Sequence, residues 1–410
     1  MELLDLTPEP EPAPPPPSRR GIAVVAVLLA AFGVGGWLVS RGSPPLPETV
    51  RAAPTTTASL EVSRPTPTPW PERAGACGNT VAVPRVTAPA LDEPTGLRLL
   101  VAGDGLHAVD LDSGRVSAVG GLAGGYVTSL QRAGSGFALL AATCDELSAL
   151  TSEVLRLDGD LAPVAPSRSH ADQIVTGSGG TYAVDWPDDN SAPVVMHRLD
   201  GRGTLRLSGD FSPDSTLPEG ILGTSGNFAP AVEVRSRADG HRLRTVGEGR
   251  LMGANARAVL LAGYCDEGSP CVLSFGSPAA RTLRRVTVPS SRAPTSAAAL
   301  SPDGRYAAFQ LSRELSDPRL YLDHPGPTSD IAVLDLRTGK LRVLDGVELA
   351  AKYSAGLTWS PDSSWLVVSL GEGSRTRLLV WRDRLDGLRS VGPLVPGRVL
   401  YQAGVLALAP

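Results

Sequence analysis

The sequence predicts an all-β domain that follows a single transmembrane helix. From about residue 77 onward, short apolar or alternating runs recur with Gly, Asp, Pro and Ser between them, and no window has the period of an amphipathic helix. One long uncharged apolar run, residues 21–39, precedes this part, and all four cysteines follow the run. These observations divide the chain into the segments 1–20, 21–40, 41–75 and 76–410.

The two proline-rich segments are not expected to fold. Residues 1–20 are acidic and include PEPEPAPPPP, a composition that cannot bury a core and predicts a disordered tail. Residues 41–75 are rich in Pro, Thr, Ser and Ala. That composition is typical of a semi-rigid stalk, which would hold the next domain away from a membrane.

The apolar run GIAVVAVLLAAFGVGGWLV can cross a bilayer as a helix, because about 20 helical residues cover a hydrocarbon core of about 30 Å. Arg19 and Arg20 precede it, Arg41 follows it, and Trp37 suits an interfacial position. A cleaved signal peptide is an alternative, but it requires a shorter apolar stretch and a small-residue cleavage site. A twin-arginine export signal is a second alternative, although the rest of that motif is absent. We predict a retained single-pass anchor in the cell membrane.

Cysteine usage orients the chain. Cys77, Cys144, Cys265 and Cys271 form an even set that predicts two disulfides in an oxidising compartment. The turn-forming stretch DEGSP lies between Cys265 and Cys271 and favours a local pair, which leaves Cys77 with Cys144, although four cysteines allow three connectivities. The tail is therefore predicted to be cytoplasmic and residues 76–410 extracytoplasmic.

Charge and composition limit the partners and the source. The net charge is −4 and no basic run occurs, which argues against nucleic acid as a partner. Only Lys340 and Lys352 are lysines, so nearly all positive charge is arginine. Such a bias is typical of GC-rich genomes and indicates an actinobacterial source.

Two segments near the C-terminus carry the clearest internal repeat. AALSPDGRYAAFQL spans residues 298–311 and LTWSPDSSWLVVSL spans residues 357–370, and each predicts a strand, a Ser-Pro-Asp turn and a second strand. Ser301 and Ser360 lie 59 residues apart, which fits four strands and one enlarged loop. DLDSGR and DLRTGK mark two further hairpins, in which Gly takes a positive φ.

The residues of these turns have distinct roles. In the first copy proline presets φ, aspartate caps the turn and glycine takes the left-handed position. Ser363 stands where the first copy has glycine, which predicts slight strain. The predicted turn residues are Ser301, Pro302, Asp303 and Gly304 in the first copy and Ser360, Pro361 and Asp362 in the second.

This repeat resembles the propeller repeats of TolB-like and WD-type proteins, in which a Ser-Pro-Asp-Gly turn links the first two strands of a blade. The resemblance is specific for residues 296–391 and rests on general pattern for residues 80–295. It implies a β-propeller.

The spacing of the strand sets predicts seven four-stranded blades, because their centres recur at roughly 40 to 50 residues. The predicted centres lie near residues 110, 145, 190, 230, 265, 315 and 370. Six or eight blades remain open, because the unit near residue 230 lacks a clear fourth strand. Residues 80–86 and 399–409 are both strand-like, and we expect them to share a blade that closes the ring.

No catalytic or metal signature is visible. The sequence lacks a G-x-S-x-G nucleophile elbow, a phosphate loop and an H-E-x-x-H motif. The acidic stretches 185–190 and 265–268 offer oxygens to calcium but lack the register of a calcium loop, so solvated turns are the preferred interpretation. We expect no cofactor. The histidines are scattered, at His107, His170, His197, His241 and His324.

The tryptophans at blade positions allow two interpretations. They could form a carbohydrate or peptide platform, but packing between blades is the commoner role of large side chains in strands, and we prefer it. Residues 312–329 and 186–193 are too long for hairpin loops and are the predicted ligand contacts. The tryptophans concerned are Trp186, Trp359, Trp365 and Trp381.

Two functions follow from this reading. The first is a membrane-anchored binding or scaffolding module for a protein, peptide or glycan of the cell envelope. The alternative is a propeller enzyme, a hydrolase or lyase with its site at the mouth of the central channel. Only an enzyme would gather several inward-facing acids, histidines or arginines at one mouth.

Overall fold

A computed structural model of the chain describes residues 3–4, 72–74 and most of residues 80–408. Within the last range the segments that are not described are 121–125, 145–149, 165–170, 188–191, 202, 209, 227–229, 264–269, 290–291, 313–327, 351–354 and 398–403. The described residues contain strands and no helix, which confirms the all-β prediction. No helix able to cross a membrane occurs among them, and the apolar run 21–39 lies outside them.

Four short strands precede the repeated part of the fold. They are β1 (Leu3–Leu4), β2 (Glu72–Ala74), β3 (Thr80–Ala82) and β4 (Arg85–Val86). β2 and β3 form an antiparallel pair, whereas β1 and β4 both add to the outer edge of a later sheet.

The following strands form consecutive antiparallel sheets, which we number along the chain. Sheet 1 contains β5 (Arg98–Ala102), β6 (Leu106–Asp110) and β7 (Val116–Ala118); sheet 2 contains β8 (Tyr126–Ala133), β9 (Gly136–Cys144) and β10 (Leu150–Leu157); sheet 3 contains β11 (Gln173–Gly177), β12 (Tyr182–Asp185), β13 (Val194–Arg198) and β14 (Thr204–Leu207). Sheet 4 contains β15 (Phe211–Thr216), β16 (Ile221–Ser225), β17 (Ala231–Arg235) and β18 (Arg242–Glu248); sheet 5 contains β19 (Arg250–Ala254), β20 (Val259–Ala262), β21 (Cys271–Gly276) and β22 (Arg284–Val288).

The last two sheets carry the Ser-Pro-Asp repeats, and one further strand ends the chain. Sheet 6 contains β23 (Ala299–Leu300), β24 (Tyr306–Ser312), β25 (Thr328–Asp335) and β26 (Leu341–Ala350); sheet 7 contains β27 (Gly356–Trp359), β28 (Leu366–Gly371), β29 (Arg375–Trp381) and β30 (Arg389–Pro396); the final strand is β31 (Val405–Ala407). Within each sheet the strands pair in chain order. Sheet 2 has three strands among its described residues. An isolated β-bridge pairs Leu157, at the end of the third strand, with Pro163.

The hairpins form where the sequence supplies a cap and a glycine. In the β25–β26 hairpin, Asp335 Oδ1 accepts the backbone N–H of Arg337 at 2.8 Å, and Gly339 has a φ of 80°. In the β6–β7 hairpin, Asp110 Oδ1 accepts the N–H of Ser113 at 2.9 Å, and Gly114 has a φ of 67°. The same local chemistry therefore makes the outer hairpin of sheets 1 and 6.

The two Ser-Pro-Asp turns share one hydrogen-bond pattern. Ser301 Oγ donates to Asp303 Oδ1 at 2.6 Å and accepts the N–H of Tyr306 at 2.8 Å, so a buried hydroxyl fixes the start of β24. Ser360 Oγ contacts Asp362 and the N–H of Trp365 in the same way before β28.

Serine and glycine occupy the same left-handed position in these two turns. Gly304 has a φ of 74° in the first turn, and Ser363 has a φ of 64° in the second. Ser363 Oγ also accepts the N–H of Asp303 at 3.0 Å, which joins the turns of neighbouring sheets. That hydrogen bond offsets part of the cost of a left-handed serine.

The C-terminal strand joins the beginning of the fold. β31 pairs antiparallel with β5, with Val405 opposite Val101 and Ala407 opposite Leu99. The expectation that residues 399–409 pair with residues 80–86 is wrong, because Thr80–Ala82 pairs with β2 and Arg85–Val86 with β26. Both candidate segments alternate, and the alternation fixes which faces are buried but not which strand is the partner.

The first strands of the sheets contact one another in succession. β11 pairs in parallel with β15, with Thr176 opposite Ser215 and Gly177 opposite Thr216. Contacts also join β8 to β11, β15 to β19, β19 to β23 and β23 to β27, and β31 contacts both β27 and β8. β31 thus occupies the first-strand position of sheet 1, and we call these first strands the inner strands.

The apolar core consists of clusters that each lie between two consecutive sheets. Sheets 1 to 7 are joined in this way by six clusters, and a seventh cluster, with Leu99 and Val367, joins sheet 7 to sheet 1. Large side chains such as Phe275 and Phe309, between sheets 5 and 6, are fully buried. Burial of each such side chain contributes about 1.5–3 kcal/mol, so every sheet depends on both of its neighbours.

Four-stranded up-and-down sheets that pack face to face, with inner strands in mutual contact, have the architecture of a β-propeller. The predicted tail, anchor and stalk remain predictions, as does the number of blades. Cys271 is buried and disulfide-bonded. Cys77 and Cys265 lie outside the described residues, so the pairs Cys265–Cys271 and Cys77–Cys144 stay predictions.

Candidate functional site

A pocket of about 210 Å³ lies where sheets 6 and 7 meet. The β23–β24 turn and the β25–β26 hairpin reach it together, because alternate connections of an up-and-down sheet lie at the same end. We call it the sheet 6–7 pocket. Its lining residues are Arg305, Tyr306, Val333, Asp335, Arg337, Thr338, Lys340, Arg342 and Trp381.

Three aromatic rings pack at this junction. Tyr306 stacks on Trp359 with the ring centroids 5.5 Å apart, and Trp381 meets both rings edge-on at 6.2 and 6.3 Å. The indole N–H groups donate to backbone carbonyls, from Trp359 to Ala299 at 2.9 Å and from Trp381 to Leu385 at 3.1 Å. These contacts hold the Tyr306 ring in one place, as aromatic clusters do.

Two polar atoms of the lining are buried without a hydrogen-bond partner. They are the hydroxyl oxygen of Tyr306, a residue only 6% exposed, and Nε of Arg305. Burial raises the pKa of Tyr306 and the nearby Asp383 carboxylate raises it further, yet no hydrogen bond of acceptable geometry joins the two groups. The hydroxyl is therefore protonated at neutral pH and can donate. An unpaired buried donor costs about 1–3 kcal/mol, which a ligand atom could recover.

Cations outnumber acids at the pocket. The Arg305 guanidinium lies 3.6 Å from Asp335 and 3.4 Å from Asp383, and Arg342 lies 2.8 Å from Asp383. The exposed side chains of Arg337 and Lys340 make no ion pair with any described residue. Two of the pocket's cations thus have no counter-charge among the described residues, in a chain whose net charge is −4, and the pocket favours an anionic group.

The inner strands carry few charged side chains. Among their described residues these are Arg132 on β8, Asp214 on β15 and Arg250 on β19. Arg132 donates to the carbonyl of Ala407 at 3.0 Å, and Arg250 to that of Pro294 at 2.9 Å. Among the described residues, neither arginine forms a hydrogen bond or ion pair with Asp214.

Asp214 lies at a bulge, where the register of β15 against β16 shifts between Pro213 and Ser215. Asp214 is exposed to solvent, yet many protein atoms surround its carboxylate, and this desolvation raises its pKa to about 6. The two observations agree for a carboxylate that is in contact with solvent and has many protein atoms around it, because desolvation penalises its charged form.

Asp214→Asn is expected to stabilise the domain at pH 7.5 and not at pH 3.5. The folded-state pKa is raised above the unfolded value of 3.8, so ionisation costs stability as the pH rises from about 4 to about 6, and the cost is complete above that range. Full burial would make the gain about 3 kcal/mol; because the carboxylate remains open to solvent, we expect about 1 kcal/mol. Urea denaturation at both pH values measures it. Asp160→Asn, at an exposed turn, is the control, and an equal gain at pH 3.5 would contradict the prediction.

The four tryptophans predicted at blade positions differ in their exposure to solvent. Trp359, Trp365 and Trp381 are at most 5% exposed and belong to clusters between sheets, which confirms the packing interpretation for these three. Trp186 is 36% exposed. The predicted loop 186–193 is described only in part and 312–329 only at its ends, so their contacts with a ligand stay predictions.

The histidines and acidic stretches form no site among the described residues. His197 lies 3.3 Å from Asp185 and His241 contacts Asp239, whereas burial lowers the pKa of His107. No cluster of three or more potential metal ligands occurs in the described part of the chain. Residues 188–190 and all of residues 265–268 lie outside it, so the calcium alternative remains untested.

Sequence reasoning missed the sheet 6–7 pocket, although a signal was present. Arg305 and Tyr306 follow the Ser-Pro-Asp-Gly turn directly, and the hairpin LRTGKLR carries three cations within seven residues. In a four-stranded blade the first and third turns lie at one end, so the resemblance to a propeller would have placed these segments together.

Comparisons with known proteins give structural likeness alone. No protein-family model matches the chain, and no curated protein matches it in sequence. TolB from Acinetobacter baumannii is similar, with 12% identity, a TM-score of 0.43, and 75% of this chain and 66% of that chain covered. The β-propeller domain of the trilobed protease from Pyrococcus furiosus has 8% identity and a TM-score of 0.44, with 66% and 85% covered.

A third similar structure is a putative 6-phosphogluconolactonase from Bacteroides fragilis, with 11% identity and a TM-score of 0.47, where 77% of this chain and 100% of that chain are covered. Likeness at this level assigns no activity. By its own strand order and inter-sheet cores, the described part of this chain is a β-propeller.

Proposed function

We propose that this chain is a membrane-anchored propeller of seven blades, closed as a ring, whose domain lies outside the cytoplasm. The seven sheets support the number of blades, and the cluster between sheets 7 and 1 supports closure. The apolar run 21–39 supports the anchor. The disulfide at Cys271 supports an oxidising compartment.

The function we propose is binding. The propeller acts as a binding or scaffolding module for a protein, peptide or glycan of the cell envelope, and it recognises an anionic group in the sheet 6–7 pocket. The observation that carries this proposal is the pair of unpaired buried donors, Tyr306 Oη and Arg305 Nε, beside Arg337 and Lys340, which form no ion pair with a residue that the structure describes.

The size and charge of the pocket suit one acidic group. A volume of about 210 Å³ accommodates a carboxylate with a short stem or a phosphate. Each charge-assisted hydrogen bond to it contributes about 1.5–3 kcal/mol. A single pocket of this kind gives specificity for charge, and further contacts around it would supply most of the affinity.

The alternative is a propeller-fold hydrolase or lyase with a site at the channel mouth. Asp214 is the observation that favours it, because an acid with a pKa of about 6 suits proton transfer near neutral pH. It has no described charged partner on the inner strands, and for that reason we rank binding above catalysis.

Capture of envelope components tests the proposed function. The domain 68–410, which holds all the inter-sheet cores, is immobilised and exposed to solubilised envelopes. The double substitution Arg337→Glu and Lys340→Glu should lower the amount of the captured component at least tenfold. Both side chains are exposed and have no ion-pair partner in the described part of the chain, so the free energy of unfolding should change by less than about 0.5 kcal/mol. The charge-matched control is Arg281→Glu, in the connection before β22, combined with Arg285→Glu, on β22; both side chains are exposed.

Tyr306→Phe separates a ligand role from a structural one. It removes a hydroxyl that has no partner, so the domain should be as stable as the parent or more stable, while capture should fall. Equal capture by the parent, the glutamate pair and the control pair would refute the proposed function.

A further inference from the structure

The outer edge of sheet 6 is divided between two added strands. β26 is the last and outermost strand of the sheet, and β4 pairs with its second half, with Val86 opposite Val347 and Arg85 opposite Glu348. The backbone of Asp345 and Gly346 contacts Gly387, Thr87 and Ala88. The first half of the edge, at Leu341 and Arg342, is not covered by any of these segments.

In the structure a short extended segment occupies that first half. β1 pairs antiparallel with β26, with Leu3 opposite Arg342 and Leu4 opposite Leu341. The first half of the edge can therefore accept a strand from a segment distant in sequence, which is the geometry of β-strand addition.

The same segment of β26 borders the sheet 6–7 pocket. Arg342 is both the register partner of the added strand and a lining residue of the pocket, and Lys340 lies two positions before it. In this register the next position of an added strand falls opposite Lys340. An acidic residue there would face the excess of cations, and in this chain the residue after Leu4 is Asp5.

The predicted anchor separates this edge from the N-terminus. If residues 21–40 cross the membrane, residues 1–20 lie on the cytoplasmic side and cannot reach a propeller on the other side. Pairing with Leu3–Leu4 and a membrane-spanning segment are then mutually exclusive in one chain, and in the anchored protein the first half of the β26 edge is open to another polypeptide.

We propose that this edge captures an extended acidic segment of a partner polypeptide, which adds a strand at Leu341–Arg342 and places a carboxylate in the sheet 6–7 pocket. The proposal rests on the proposed function and names the partner class. The backbone pairing supplies general affinity, and the pocket selects acidic sequences. The edge pairs with Leu3 and Leu4, and we expect the short sequence ELLD, which has an acid on each side of these two leucines, to represent the pattern that it binds.

A peptide of residues 1–8 is the probe. Added in trans to the domain 68–410, it should bind more weakly, by at least tenfold in Kd, when the domain carries Lys340→Glu, and less than twofold more weakly when the domain carries Arg285→Glu. Replacement of both Leu3 and Leu4 by proline in the peptide should also weaken binding at least tenfold, because alternate residues of a strand donate to its neighbour and proline cannot donate.

Disulfide trapping then tests the register. The peptide with Leu3→Cys should cross-link to the domain with Arg342→Cys and not to the domain with Arg285→Cys, which lies on the outer strand of sheet 5. Equal cross-linking at both positions, or binding that is indifferent to Lys340→Glu, would overturn the proposal.

Full-length protein in its native membrane decides which segment is the occupant. A chain that carries both Leu3→Cys and Arg342→Cys should form no internal cross-link; an internal cross-link would show that the edge belongs to the protein's own N-terminus and would overturn the proposal. Failure of the peptide to bind, while envelope capture still depends on Arg337 and Lys340, would refute this inference and leave the proposed function standing. If the peptide does not bind and envelope capture does not depend on Arg337 and Lys340, both this inference and the proposed function are refuted.

Discussion

Deletion of residues 399–410 is expected to abolish the soluble, folded domain. The deletion removes β31, exposes the edge of β5 and takes Val405 and Ala407 from the cluster between sheets 7 and 1. It also removes Leu408 from the cluster between sheets 1 and 2. The lost burial alone exceeds about 4 kcal/mol, which approaches the whole stability of an ordinary domain, about 5–15 kcal/mol.

Expression of the domain 68–410 with and without residues 399–410, followed by gel filtration, measures this effect. A peptide of residues 399–410 added during refolding should restore a monomeric domain, because it supplies the missing strand without a chain connection. Val405→Asp is the point substitution that should act in the same direction. A truncated domain that stays monomeric and melts within a few degrees of the parent would mean that β31 is a surface addition.

The parts of the fold that could be predicted from the sequence are those set by local chemistry. The Ser-Pro-Asp turns were identifiable because a serine hydroxyl, an aspartate cap and a left-handed residue act within five positions of one another. The hairpin at Asp335 and Gly339 follows from the same rules. Such signals need no knowledge of distant segments.

The errors concern contacts between distant segments. The C-terminal strand closes on Arg98–Ala102 and not on residues 80–86, and no difference in apolar alternation separates these two candidates. The fourth strand that the sequence did not indicate clearly near residue 230 is present as β18, whereas the described part of sheet 2 has three strands. Polar and arginine-rich outer strands such as β18 carry little of the apolar signal by which strands are recognised.

The candidate site was missed for a related reason. Arg305 and Lys340 belong to different turns and become neighbours only through the up-and-down order of sheet 6. The unpaired hydroxyl of Tyr306 depends on the packing of Trp359 and Trp381 from another sheet, which no local pattern encodes. The charged side chains of a propeller can therefore be assigned to a common site only after the order of the strands within each blade is known.

Trp381→Ala is expected to destabilise the domain by about 3–5 kcal/mol. Trp381 is 1% exposed, lies edge-on to Tyr306 and Trp359, and donates an indole hydrogen bond to Leu385. Its removal leaves a cavity between sheets 6 and 7 and an unpaired carbonyl, and large-to-small changes of this kind cost that much. Urea denaturation of the domain 68–410 measures the change.

Two further variants separate packing from a ligand platform. Trp186→Ala removes the same side chain from a position that is 36% exposed and should change the free energy of unfolding by about 0.5 kcal/mol or less. Trp359→Ala combined with Trp381→Ala should show a coupling energy of about 0.5–1.5 kcal/mol, because the rings contact each other directly. If Trp381→Ala instead reduced envelope capture while leaving stability unchanged, the aromatic cluster would be a binding platform and the packing interpretation would be wrong.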